Sequence, residues 1–342
     1  MPLASTLFLT RVAPGCDCLR AMKPKVLVTI GAPAECLSAL DDVGDVEQWE
    51  AGGAAIPRAE VMKRASALSA ILSQGELKID LELLNAAPDL RIVANGSVGF
   101  DNFDLALMTE RGVWATNAPD SYTDATADMT LALLLAHARS IPVHDRRIRD
   151  GCWTEMLVGP FDGMLLKGKV LGIVGFGRIG RAVAKRADAF GMEVLFYDRS
   201  AENDGRSRPL DDLLESSDIV TVHVPLTADT HHLFNTARFR RMKKGAIFIN
   251  VARGPVVHEK ALIDALQSGH LAGAGIDVFE DEPHVPDALR ELDNVVLTPH
   301  LGGCTRESRQ DSRLLAASNI AAVLRGDAPL TPLNELPVPP GN

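Results

Sequence analysis

Three apolar runs decide the reading of this chain: AIFINVARG (246–254), GAGIDVFEDEP (273–283) and NVVLTPHLGG (294–303). Each begins as a short apolar stretch of the kind a strand buried on both faces requires. Each ends in a polar residue of catalytic type: Arg253; Asp277, with Glu280, Asp281 and Glu282 just beyond; and His300. In an open parallel sheet, ligands bind in the crevice outside the carboxyl ends of the strands. The runs therefore predict a cation, carboxylates and an imidazole at one sheet edge. That set is equipped to grip a carboxylate and to move a proton.

Working outward, KVLGIV (169–174), EVLFYD (193–198) and IVTVHV (219–224) extend these three runs into one series. Helix-like stretches at 179–190 and 258–268 link its members. A separate, shorter series precedes it: KVLVTI (25–30), SAILS (69–73), RIVAN (91–95) and VWATN (113–117). Strands alternating with helical patterns mean βα units and a parallel sheet. Two such arrays predict two doubly wound α/β domains. Between them, 121–139 is nearly continuous in small and apolar residues from Ala125 onward, with Pro119, Asp120 and Ser121 offering breaker and capping chemistry. A helix apolar on most faces must be buried, here between domains or against a second subunit. A last helix is expected over 305–325, before a proline-rich tail.

VGFGRIG (174–180) sets Gly175, Gly177 and Gly180 at the G-x-G-x-x-G spacing, after a strand-like run and before an amphipathic helix. The pattern alone is weak; its context makes it a dinucleotide site. The first glycine permits the tight turn, the second lets backbone approach a pyrophosphate, and the third lets helix pack on strand. Arg178 and Ile179 complete the turn, whose helix N-terminus offers N–H groups to phosphate. Asp198, closing the next strand, suits the adenosine ribose hydroxyls and favours NAD. Arg199 and Ser200 beside it keep NADP open, since Arg there can hold a 2′-phosphate.

The composition narrows the partners. The 342 residues exceed one typical domain; 46% are apolar and 23% charged, as in an ordinary globular protein. A net charge of −10 argues against nucleic acid or anionic membrane as the main partner. No apolar run is long enough to span a bilayer, and the lack of a disulfide framework among the cysteines makes the reducing cytoplasm the expected compartment. Five cysteines, with only Cys16 and Cys18 as a close pair, form no metal framework. Residues 1–23 are expected to be a disordered extension, with Met22 a natural start.

At this point SVGFDN (97–102), TDATAD (123–128), VGFGRIG, HVPLT (223–227), NVARG (250–254), GIDVFEDEP (275–283) and TPHLGG (298–303) resemble the D-isomer-specific 2-hydroxyacid dehydrogenases, over most of 24–336. ATNAPD (115–120) and FDGM (161–164) are similar to the glyoxylate/hydroxypyruvate reductases among them. The resemblance implies a flavodoxin-like substrate domain (24–120 with 301–336), a Rossmann domain (121–300) and an interdomain cleft. It implies reduction of a small 2-keto acid by NAD(P)H, in a homodimer. The alternatives are a D-3-phosphoglycerate or other D-2-hydroxyacid dehydrogenase, or an NAD-sensing corepressor-like protein.

The same resemblance assigns roles. Arg253 grips the substrate carboxylate; His300 is the general acid in reduction; Glu282, among the three acids after Asp277, partners His300. Val98 and Gly99 offer N–H groups to the substrate. Asp277 binds the carboxamide, although a strand-end Asp also caps turns. Pro225, Thr230, Val251, Ala252, Gly302 and Gly303 line the cofactor, which Arg253 and His300 also touch. Val251 stands where many relatives carry Thr, and Phe100 where Tyr is common. His223 and Trp153 are read as packing residues.

Overall fold

The computed structural model describes residues 23–337, apart from 51–52, 158, 160–161 and 200–203. Of the extension expected over 1–23, residues 1–22 lie outside the described residues, as do Ser200 and Phe161 of the FDGM stretch.

The chain builds two all-parallel sheets. The first contains β1 (Lys25–Val28), β2 (Asp45–Gln48), β3 (Leu68–Ser73), β4 (Ile92–Asn95) and β5 (Trp114–Thr116), in the order β2-β1-β3-β4-β5. The second contains β6 (Val170–Val174), β7 (Glu193–Tyr197), β8 (Ile219–Val222), β9 (Ala246–Asn250), β10 (Leu271–Ile276) and β11 (Val295–Leu297), in the order β11-β10-β9-β8-β6-β7. Both orders reverse beside their first strand, so each sheet has a switch point there, where such folds open a crevice. A single parallel bridge between Phe196 and Ser207 extends the second sheet past β7.

Each sheet carries a core on both faces, which is why its inner strands read as continuous apolar runs. Around the first, Leu27, Ile71 and Val93 face one core while Val26, Leu72 and Ile92 face the other. Around the second, Val220, Phe248 and Ala274 face one core and Ile173, Ile219 and Ile249 the other. β2 escaped the sequence reading. It is an edge strand whose DVEQ alternates between exposed and half-buried, so it lacks the apolar run that marks the inner strands.

The apolar stretch after β5 forms the Thr123–Ala138 helix, with Leu131, Leu133 and Leu134 buried. It packs on the Arg178–Ala189 helix and on β9, β10 and β11. The expected capping is corrected. Tyr122, not Asp120 or Ser121, is the N-cap and makes no side-chain cap bond, while Asp120 pairs with Arg178 at 2.7 Å. After β11 the chain recrosses, and the Arg306–Arg325 helix packs on β3 and β4. The two crossings meet at Tyr122. Its hydroxyl donates to Gly96 O at 2.6 Å and pairs with Ser312 Oγ at 2.8 Å. A Cβ on Gly303 would stand 2.3 Å from its ring. No helix among the described residues is long and apolar enough to cross a membrane.

Candidate active site

β9, β10 and β11 are parallel neighbours, in register from Ile249 through Gly275 to Val296. The turns that leave them therefore share one edge, and they carry Arg253, Asp277 and His300 there. The first turn is braced by Asn250, whose Oδ1 accepts from Ala252 N and whose Nδ2 donates to Arg253 O. That bracing aims the arginine at the loop after β4. Its Nε donates to Asp101 at 3.1 Å, and a Cβ on Gly99 would lie 1.7 Å from Nη2. In that loop, the Val98 carbonyl accepts from Asn117 and the Gly99 carbonyl from Asn95 and Ser97. The arginine from the second sheet and the loop from the first thus meet across the gap between the two sheets.

Asp277 is fully buried at the end of β10. Its Oδ1 accepts from Thr298 Oγ1 at 2.5 Å and Leu301 N at 2.8 Å, and its Oδ2 from Gly302 N at 2.7 Å. Its carbonyl accepts from His300 N. The carboxylate thus folds the 298–302 turn and holds His300 in the left-handed region, at φ 52°. A buried carboxylate needs such a donor set, since an unpaired one is costly. Direct contacts give Asp277 the turn-capping geometry that its place at a strand end allows.

His300 Nδ1 lies 2.8 Å from Glu282 Oε2. Glu282 Oε1 accepts from Phe279 N, which turns the side chain back over its own loop. Burial pushes this carboxyl up, but the His300 and Phe279 bonds and the nearby Arg253 charge outweigh that and hold it below the usual range. The neighbouring acid goes elsewhere: Glu280 Oε1 lies 2.6 Å from His232 Nε2. A Cβ on Gly254 would stand 1.7 Å from the Phe279 carbonyl oxygen, so the arginine and acid turns are pressed together backbone on backbone.

The glycine turn follows β6. Gly175 has φ 97°, and a Cβ there would meet the His223 backbone at 2.8 Å. A Cβ on Gly180 would meet Gly175 O at 2.2 Å, so helix and strand touch at this point. Gly177 differs: nothing lies within 4 Å of its imagined Cβ, and as N-cap of Arg178–Ala189 it supplies no side-chain cap. Open space over an uncapped helix N-terminus is what a pyrophosphate needs. Asp198, at the tip of β7, accepts from Phe176 N at 2.8 Å and so stands beside the turn. These residues fit a dinucleotide.

The remaining predicted residues fall on neighbouring turns. Thr230 Oγ1 donates to Pro225 O at 2.6 Å and accepts from Thr227 N, pinning the 225–230 loop. Val251 is buried, while Ala252 and Ile179 are half-buried against the core. His223 is half-buried, its Nε2 on Thr221 and its Nδ1 shut away from solvent, and loss of hydration pushes it down to about 3, so it is neutral. Trp153 does not pack; it is 56% exposed. Asp101, Asn250 and Thr298 were not singled out from the sequence, although all three stand inside or beside the quoted motifs.

Residues 131–302 match the sequence profile of a family described as D-isomer specific 2-hydroxyacid dehydrogenase, NAD binding domain. A glyoxylate reductase of Pyrococcus horikoshii is 45% identical over 323 residues, covering 92% of this chain and 96% of that one. Among solved structures, a protein of Thermus thermophilus superimposes with a TM-score of 0.85 at 41% identity, over 90% of this chain and 99% of that one. An NADPH-dependent glyoxylate/hydroxypyruvate reductase of Sinorhizobium meliloti, in complex with NADP and malonate, gives 0.79 at 35% identity, over 91% and 97%.

Proposed function

The chain belongs to the D-isomer specific 2-hydroxyacid dehydrogenase family, and from that premise we propose that it reduces a small 2-keto acid of the glyoxylate or hydroxypyruvate kind to the D-2-hydroxy acid. The observation that carries the reading is the 2.8 Å pair of His300 and Glu282 at the same strand edge as Arg253. A pyrophosphate cradle at Gly177 supports the NAD(P) requirement.

Reduced nicotinamide, when bound, supplies the hydride. Arg253 binds the substrate carboxylate, for which a planar, permanently charged fork is suited. The N–H groups of Val98 and Gly99 share that task; their carbonyls are drawn into the protein by Asn117, Asn95 and Ser97. His300 donates its proton to the oxygen that becomes the hydroxyl. Glu282 fixes the tautomer by holding Nδ1, which leaves Nε2 as the donor. Gly175, Gly177, Arg178, Ile179 and Gly180 hold the pyrophosphate. Asp198 holds the adenosine ribose, and Pro225, Thr230, Val251 and Ala252 line the nicotinamide side. Asp277 and the Gly302–Gly303 turn serve the carboxamide end.

We assign residues 24–120 and 301–336 to a substrate domain and 121–300 to a cofactor domain, with chemistry between them. We propose a homodimer, supported by apolar side chains left in water along one stretch: Ile141, Val143, Ile148, Trp153, Met156 and Leu165. A cytosolic setting accords with the exposed free thiols of Cys152 and Cys304. The deciding experiment is NADH and NADPH oxidation against a panel of 2-keto acids. Turnover of glyoxylate or hydroxypyruvate, abolished by Arg253→Ala, is expected. No turnover of any short 2-keto acid would overturn the reading.

A further inference from the structure

Glu280-Asp281-Glu282 sends two carboxylates to two imidazoles. Glu282 reaches His300; Glu280, two residues earlier, reaches His232 at 2.6 Å. From this second pair we infer that Glu280 and His232 are positioning residues that set the distance between Glu282 and His300. The inference rests on the proposed reduction and names parts of the same site.

Three turns converge on the second pair. His232 ends the loop pinned by Thr230 on the cofactor side. Its backbone N–H donates to Pro255 O at 2.8 Å, which ties that loop to the arginine turn. Its ring bonds Glu280 Oε1, which ties both to the acid turn. The other oxygen, Glu280 Oε2, accepts from Glu259 N at 3.0 Å, at the start of the Glu259–Gln267 helix. A carboxylate at a helix N-terminus is favourably placed. Both Glu280 oxygens are therefore engaged by groups outside its own turn.

Glu282 has no such anchor. One of its oxygens bonds Phe279 N within the same turn, and the other bonds the imidazole it serves. The acid turn is closed on itself through Glu282; at its Phe279 end it presses on Gly254, and beyond that end the side chain of Glu280 ties it to neighbouring turns. His232 adopts φ 50°, a conformation a non-glycine residue takes only where its surroundings impose it. Its ring also lies against His231, with centroids 4.0 Å apart, and against His258 at 4.9 Å. The surroundings that impose the left-handed backbone are thus the contacts that deliver the ring to Glu280.

The titratable groups facing Glu280 are His232 and His258, and the Glu259 backbone N–H donates to it; Glu280, Asp281 and His284 face the Glu259 carboxyl, and His300 and Arg253 face Glu282. If Glu280 lets go, the turn can pivot about its Phe279 end and the 2.8 Å bond to His300 lengthens. Hydrogen bonds weaken steeply with such displacement. The acid-requiring step then loses part of the support that Glu282 provides.

The test is the pH dependence of glyoxylate reduction in the full-length wild type, Glu280→Gln, Glu282→Gln, the double variant and His232→Asn. Asparagine tolerates the left-handed backbone, so the last variant removes the ring while sparing the chain. In Glu280→Gln and His232→Asn, the pH at which reduction falls to half its acid plateau is expected to move down by about half a unit, a threefold loss above it. Glu282→Gln should move it further, and the double variant no further than Glu282→Gln alone. An unmoved profile in both single buttress variants, or additive shifts in the double, overturns the inference. If wild type reduces no 2-keto acid, it is the proposed function that fails; if Glu282→Gln shifts the profile and the buttress variants do not, only this inference fails.

Discussion

The guanidinium of Arg253 occupies the place where a side chain on Gly99 would stand: a Cβ there would lie 1.7 Å from Nη2. Gly99 carries no positive φ, so the requirement for glycine comes from this approach and not from the backbone. The obstructing atom is the tip of a flexible side chain. Gly99→Ala should therefore fold with little loss of stability while pushing Arg253 aside. A misplacement of about 1 Å at a binding group costs up to roughly 100-fold in rate. We expect kcat/KM for glyoxylate to fall at least tenfold, chiefly through KM, with thermal stability within about 0.5 kcal/mol of wild type. A variant with unchanged KM would remove Arg253 from the substrate site.

Glu282 faces His300 with a carboxylate held below its ordinary range. Replacing it with Gln removes the negative charge that favours the protonated ring. In reduction the imidazole must begin protonated, so activity is lost as pH rises. The upper limb of the pH–rate profile is expected to move to lower pH in Glu282→Gln, by about one unit. The same carboxyl bears on stability in the opposite range. Its folded pKa is depressed, so its contribution is present above the unfolded carboxylate value near 4.5 and is lost as pH falls below it. Steady-state rates and urea midpoints across pH check both signs.

How much of this was legible in the chain depends on what each residue faces. Inner strands such as β9 announced themselves because both of their faces are buried; β2 did not, because its edge position leaves DVEQ half in water. The residue types at the strand ends marked the site, since Arg253, Asp277 and His300 each close an apolar run. Residue type could not separate Glu280 from Glu282. They differ in one local event, the Phe279 N–H that folds Glu282 back toward His300. Asp101 went unremarked because its partner Arg253 is remote in sequence and only the packing of two sheets joins them. Trp153 is read from the sequence as a packing residue, yet more than half of it stays exposed among the described residues.

His223 is half-buried against the glycine turn, neutral, with one ring nitrogen on Thr221 and a buried Nδ1 without a partner among the described residues. Burial pushes its pKa from 6.5 to about 3. The unfolded chain therefore takes up a proton that the folded chain refuses. Stability should be whole above pH 6.5 and decline as the pH falls toward 3, by on the order of a few kcal/mol from this group. In His223→Gln this component should vanish, leaving a flatter acid limb in urea denaturation. An acid limb of unchanged slope would mean that other groups dominate it.

Two glycines of one motif should fail in different ways. A Cβ on Gly180 meets the Gly175 carbonyl oxygen at 2.2 Å, a backbone atom that cannot step aside. Gly180→Ala should lower stability by about 1–3 kcal/mol, read as a lower melting temperature. A Cβ on Gly177 meets no protein atom within 4 Å. Gly177→Ala should melt as wild type does yet bind NADH at least tenfold more weakly, because the methyl enters the space above the helix N-terminus. Equal NADH affinity in fluorescence titration would place the pyrophosphate elsewhere.

Asp198 has two jobs that a single substitution can separate. Its Oδ2 braces the glycine turn by accepting from Phe176 N, and its charge opposes a phosphate on the adenosine ribose. Asparagine keeps an acceptor oxygen for the brace and discards the charge. Asp198→Asn should retain the fold and raise the NADPH-to-NADH ratio of kcat/KM by about tenfold, the effect of roughly 1.4 kcal/mol of relieved repulsion. Alanine removes the brace as well, so Asp198→Ala should shift the ratio the same way while weakening both cofactors. Arg199 is half committed to Asp229, at 3.3 Å on an exposed surface where such pairs are weak, and is free to turn toward a phosphate once the neighbouring charge is gone. A ratio unchanged in both variants would mean that the ribose does not sit at the tip of β7.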